Sequence, residues 1–165
     1  MTKKNKLEEQ INTGVLIRDL TETDYVAGVN SPIGFVELNP SGDWEQYLPS
    51  EEKQNFRNFD SMACIAFSIL NCIEATLNFL IKTGRMSVGN LKWLDDQGYL
   101  ENGVANLSDR FTATVSKTTK YGNYSGTVLD SVRNQGVVPE KDLPASEDFN
   151  WDQYYADVPQ SLIDK

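Results

Sequence analysis

Two cysteines, Cys64 and Cys72, are the residues of this sequence suited to covalent chemistry, and they stand in a 165-residue chain without a histidine. A thiolate is the nucleophilic form of cysteine, so the question is which position favours the anion. The apolar run from Met62 to Ile81 predicts a helix, with Ser61 as its N-cap. Cys64 then falls about three residues into that helix, where backbone N–H groups without intrahelical partners favour an anion and lower a thiol pKa. Cys72 falls two turns deeper, where burial raises the pKa and blocks access. Cysteine is also a common small core residue, and position alone does not separate the two roles. Eight residues on one helix put the sulfurs about 12 Å apart along the axis, too far for a disulfide. Two cysteines without histidine make a poor zinc site, so no metal and no cofactor is expected.

The elements that position Cys64 follow from the rest of the pattern. The Met62–Ile81 run is apolar nearly all round, which predicts a helix buried in the middle of a domain and stopped at Gly84. Asn71, Glu74 and Asn78 share one stripe of it. Glu74 is expected to be paired or hydrogen-bonded inside, since an unpaired carboxylate among apolar residues is costly; the alternative is that the stripe faces water. Ser87 to Gln97 predicts a second helix, capped by Ser87, stopped by Gly98 and packed through Val88, Leu91, Trp93 and Leu94. Ser108 caps a third helix over 107–115, and 127–135 predicts a fourth, ended by Gly136, with Val128, Leu129 and Val132 on one side. Residues 121–126 predict a loop and 137–144 an extended stretch with two prolines. Residues 14–20 and 24–29 predict short strands, 30–43 a loop, and the segment to Lys165 an acidic, aromatic tail.

Cys64-Ile65-Ala66-Phe67-Ser68 resembles the Cys-Trp-Ala-Phe-Ser nucleophile motif of the papain-like cysteine proteases, with Ile65 in place of tryptophan. Asp43-Trp44 is similar to the Asp-Trp pair near the start of the mature enzymes, and Glu74 to a glutamate carried on the same helix. Leu107-Ser108-Asp109-Arg110 resembles Leu-Ser-Glu-Gln, and the stretch from Gly136 to Pro144 resembles Gly-Ile-x-x-Glu-x-x-Tyr-Pro with its spacing kept. These motifs keep the family's order over residues 43 to 144. The resemblance implies an α+β, papain-like fold, mainly the helical left-hand lobe around a central nucleophile helix, with the sheet lobe largely absent. Residues 1–40 would be an N-terminal arm and loop, and 41–165 the helical domain, incomplete at its C-terminus.

The resemblance also implies site residues. Cys64 would attack peptide carbonyls. Asn58 stands where the family has its oxyanion glutamine, with the same amide on a shorter stem. Gly122 and Asn123 fall where paired glycines hold substrate backbone, and a shifted alignment would use Gly126; Tyr124 and Ser125 would approach the side-chain pocket. Ser61 and Val115 occupy positions of a family disulfide, which is therefore absent. The larger departure is the imidazole, which the family places about 130–150 residues beyond the cysteine. The chain runs 101 residues past Cys64 and holds no histidine. Two expectations follow. The chain is the nucleophile-bearing part of a longer peptidase, inactive alone, or it is a catalytically dead relative serving as a structural or interaction component of a larger assembly such as a virion.

Composition limits the partners. A formal net charge of -9 opposes nucleic-acid binding, which needs a basic face. Hydrophobic content of 39% fits one ordinary globular core. Lys3, Lys4 and Lys6 form a basic cluster in a polar first stretch, without a secretory signal. Asn71, Glu74 and Asn78 make the apolar run a core helix rather than a membrane span. The expected partners are a peptide or protein substrate, or a protein covering the cleft wall. Localisation is left open, cytoplasm or an assembled particle being most consistent with a chain that uses no disulfides.

Overall fold

The computed structural model describes residues 14–19, 39–50 and 53–164. The strand expected over 24–29 and the basic cluster near the start lie outside the described residues. The helices are α1 (Cys64–Lys82), α2 (Val88–Asp96), α3 (Asp109–Val115), α4 (Ser125–Gln135), α5 (Trp151–Tyr154) and α6 (Gln160–Ile163). One hairpin, β1 (Leu100–Glu101) with β2 (Val104–Ala105), pairs antiparallel with Leu100 opposite Ala105. Short 3-10 turns lie at Glu45–Tyr47 and Glu140–Asp142, the second inside the stretch expected to be extended. The class is α+β and mainly helical.

Helix α1 is the centre of packing and contacts the first 3-10 turn, β2, α3 and α4. Ala66, Phe67, Leu70, Ala75 and Phe79 form its buried apolar face. Its opposite face is not enclosed: Ser68, Cys72 and Thr76 are exposed and Ile65, Ile69 and Ile73 half-buried. The expectation of burial on nearly every side is therefore corrected. The described elements cover only one side of α1, and small polar residues take up the exposed strip. By length and composition α1 is apolar enough to cross a membrane. Here it carries Glu74 and Asn78 buried and hydrogen-bonded to other parts of the chain.

The caps fall where short polar side chains meet apolar runs. Ser87 Oγ accepts from Asn90 N–H at 3.2 Å and Ser108 Oγ from Phe111 N–H at 3.1 Å, opening α2 and α3 as expected. Gly84, Gly98 and Gly136 close α1, α2 and α4 with positive φ. Helix α4 begins at Ser125, two residues before the expected start, so the preceding loop is shorter. Helix α2 packs through Leu94, while Val88 is 84% and Trp93 54% exposed. The expected four-residue packing face is corrected to one buried residue, with Trp93 stacked on Tyr99 at 5.6 Å.

The tail is part of the core. Asn150 and Gln153 form a reciprocal capping box that opens α5. Tyr154 then packs with Ala63, Ala66, Phe67, Ala113 and Val128. Arg110 holds this segment through three backbone carbonyls: Nε donates to Tyr154 O at 2.8 Å, and its terminal nitrogens donate to Gln153 O at 2.9 Å and Pro144 O at 3.2 Å.

Candidate functional site

Cys64 is delivered by a tight turn. Asp60 Oδ1 accepts from Met62 N–H at 2.8 Å, and Met62 adopts a left-handed φ of 55°. That conformation is costly for a residue with a Cβ and is held by its surroundings. The Tyr155 hydroxyl donates to Ser61 O at 2.6 Å, tying the turn to the tail. Ser61 is not the N-cap. Its Oγ lies 3.4 Å from Ala63 N–H, and the left-handed turn at Met62 places the helix start at Cys64 itself, after Ala63.

The thiol does not gain an acid shift from this placement. The Ile65 and Cys64 amides lower its pKa, but desolvation by burial is larger, and the Asp60 carboxylate adds to it, so the net direction is up. The expected lowering is thus overturned: partial burial beside an acid outweighs the helix N-terminus. Cys72 is also not where the sequence put it, since it is exposed while Cys64 is half-buried, and neither is in a disulfide. The expected order of reactivity therefore reverses. With iodoacetamide at pH 7.5, Cys72 should alkylate at least fivefold faster than Cys64, read by mass spectrometry after partial labelling. The rate at Cys64 should keep rising above pH 8.5, the ordinary thiol value, because the folded thiol releases its proton at higher pH. A Cys64 rate that levels off below pH 8 refutes the upward shift.

Asn58 is exposed, and its amide donates to Asp148 O at 3.2 Å and Phe149 O at 3.4 Å. Its short stem is engaged with the loop before α5.

Gly122 and Asn123 do form an extended edge. The Asn123 side chain is fixed inward: Nδ2 donates to Ser116 O at 2.9 Å and Oδ1 accepts from Tyr124 N–H at 2.8 Å. Its backbone N–H and C=O are thereby turned to residues 14–16, which run parallel to it. Asn123 N–H donates to Gly14 O at 3.1 Å, and Leu16 N–H donates to Asn123 O at 2.9 Å. Glycine is required on both sides of this contact. A Cβ on Gly122 would lie 1.9 Å from Gly14 O, and one on Gly14 would lie 2.8 Å from Cys64 Sγ. Residues 14–19 form a single bridge at Val15 and no strand. Gly126 lies inside α4, where its backbone belongs to the helix, while Tyr124 is the α4 N-cap and Ser125 its first residue.

Beside Cys64 an open groove of about 1020 Å³ runs along the exposed face of α1, lined by Trp44, Leu48, Phe67, Asn71, Cys72 and Ala75 among others. Among the described residues no cluster of three or more Cys, Asp or Glu is placed to hold a metal ion. The sequence did not point to Gly14. Its one available signal was a glycine opening the apolar stretch Val15-Leu16-Ile17, a weak one. Compared with protein-family models, curated proteins and solved structures, the chain matches none.

Proposed function

We propose that this chain supplies the nucleophile-bearing wall of a papain-like cysteine-peptidase site, with Cys64 as nucleophile and the Asn123 backbone as the rail for an extended peptide. One observation carries the reading. The N–H and C=O of Asn123 already hold an extended segment whose backbone lies against the Cys64 sulfur. The same two groups suit the backbone of a substrate, whose carbonyl carbon the sulfur would attack. In this reading the Cys64 and Ile65 amides, which lower the thiol pKa at the first turn of α1, would donate to the oxygen that gains charge. The chain holds no imidazole to take the thiol proton and return it to the leaving amine, so the histidine must come from outside these 165 residues. Alone, the chain should hydrolyse no fluorogenic peptide at neutral pH.

A second reading is a peptidase-like fold kept for binding. The raised thiol pKa and the engaged Asn58 amide favour it. An affinity label separates the two. An apolar peptidyl electrophile and iodoacetamide are compared for their preference between Cys64 and Cys72. Both reagents attack the same sulfur and each is referred to exposed Cys72, so a greater preference of the peptidyl reagent for Cys64 reports peptide recognition. The peptidase reading expects the peptidyl reagent to favour Cys64 at least tenfold more than iodoacetamide does. Equal preferences would leave only the binding reading.

A further inference from the structure

Three segments far apart in sequence meet in one line of side chains between Asn123 and the turn before Cys64. The tight turn at 119–122, closed by reciprocal hydrogen bonds of Thr119 and Gly122, sets Thr118 beside Asn123. Asn123 Nδ2 lies 3.3 Å from Thr118 Oγ1. The Thr118 hydroxyl in turn bonds the Tyr155 oxygen and favours its anion, as a donor does. The Tyr155 hydroxyl lies 2.6 Å from Ser61 O, 94 residues away in the chain.

The direction of each bond in this line is fixed by its ends. Ser61 O is a carbonyl and can only accept, so the Tyr155 proton goes to it. The Tyr155 oxygen then accepts from Thr118, which uses the single Thr118 proton. Thr118 Oγ1 is left to accept from Asn123 Nδ2. The Asn123 amide cannot be turned round, because Nδ2 also donates to Ser116 O at 2.9 Å and Oδ1 accepts from Tyr124 N–H at 2.8 Å. Ser116 does not intervene, since its own proton goes to Ala113 O at 3.2 Å. Burial pushes the Tyr155 phenol up, so it keeps its proton at neutral pH. Ser61, Thr118 and Asn123 are buried, and a lost member leaves its neighbours short of a bond away from water.

We propose that Tyr155 is a positioning residue, whose hydroxyl joins the backbone edge at Asn123 to the turn that delivers Cys64 and holds the two in one fixed relation. The proposal rests on the reading of Cys64 and Asn123 as one site, but its test asks only for access to a sulfur.

The test is the iodoacetamide rate at Cys64 in the full chain, with exposed Cys72 as internal standard. Tyr155→Phe removes the donor to Ser61 O and keeps the ring, which packs on Trp151 at 4.4 Å. Thr118→Val cuts the relay one link further from Cys64, and Thr118→Ser keeps the hydroxyl. Tyr155→Phe and Thr118→Val should each raise the Cys64 rate about threefold or more, since a half-buried thiol gains access when its turn loosens. Thr118→Ser should stay within about twofold of the unsubstituted chain, because the link is kept. Two cuts in one relay do no more than one, so the variant carrying both Tyr155→Phe and Thr118→Val should lie within about twofold of the faster single variant. Independent loosening at two places would multiply instead, to about ninefold. The relay is overturned by a rise below threefold in either single variant, by a rise above twofold in Thr118→Ser, or by a double variant more than twofold above the faster single one. None of these rates involves a peptide, so the relay can fail while the peptidyl reagent still favours Cys64, and the reverse.

Discussion

Glu74→Ala should lower the free energy of unfolding by about 3 kcal/mol, while Glu74→Gln should cost about 1 kcal/mol or less. Glu74 is 1% exposed, and its Oε1 accepts from the Leu107 backbone N–H at 2.6 Å. Truncation to alanine leaves that buried amide without its acceptor, at roughly 1–3 kcal/mol, and opens a cavity in α1. Glutamine keeps a carbonyl oxygen of similar reach, so the N–H stays satisfied and only the charge-assisted part is lost. Urea unfolding of the two variants decides. A loss within 0.5 kcal/mol for alanine would place the side chain in water and refute the buried contact.

The contact matters because of what it joins. Leu107 opens the segment that Ser108 caps, so Glu74 fixes the start of α3 against the middle of α1. One turn on, Asn78 does the same for the hairpin. Its Oδ1 accepts from Ala105 N–H at 2.7 Å, and its Nδ2 donates to Tyr47 O at 2.8 Å. The polar stripe on α1 thus turns inward at Glu74 and Asn78, using side chains to satisfy backbone groups of the first 3-10 turn, β2 and the start of α3. It holds α1 in one rotational setting, and with it the position of Cys64 at the helix start.

The sequence made some of this legible and hid the rest for physical reasons. Local rules worked where the competing forces are local. Ser87, Ser108, Gly84, Gly98 and Gly136 mark helix ends because capping and positive φ depend on a few adjacent residues. The inner hydrogen bond of Glu74 was legible from the cost of an unpaired carboxylate among apolar residues, while periodicity gives the stripe and not its direction. Asn102-Gly103, with φ of 52° and 81°, was a hairpin signal that went unread. Its strands are only two residues each and show no alternation. The Asn150 and Gln153 capping box in the tail was likewise readable but unread. The reversal of Cys64 and Cys72 was not readable, because it depends on which side of α1 the domain leaves open. The same holds for Gly14, whose meeting with Cys64 and Gly122 joins residues far apart in the chain.

Tyr154→Ala should cost about 4 kcal/mol, and Tyr154→Phe should lie within about 1 kcal/mol of the unsubstituted chain or stabilise it. Tyr154 is fully buried, its ring 5.3 Å from Phe56, 5.5 Å from Phe59 and 4.9 Å from Tyr155 between centroids. Removing it empties a cavity where the tail meets α1, and ring truncations of this kind cost about 3–5 kcal/mol. Its hydroxyl has no hydrogen-bond partner among the described residues, and burial pushes the phenol far above its ordinary pKa, so it stays protonated. Phenylalanine keeps the ring and discards a desolvated polar group, which explains the opposite expectation for the two variants. A loss above 2 kcal/mol for phenylalanine would mean that the hydroxyl has a partner that matters. The alanine variant should also loosen the site. Tyr155, the next residue, donates to Ser61 O in the turn that delivers Cys64, and its ring packs on Tyr154. Collapse around residue 154 draws Tyr155 out of register, releases the strained turn at Met62 and frees the first turn of α1. Under native conditions, below the unfolding transition, Cys64 in Tyr154→Ala should therefore alkylate faster than in Tyr154→Phe, while Cys72, two turns along the helix, changes little.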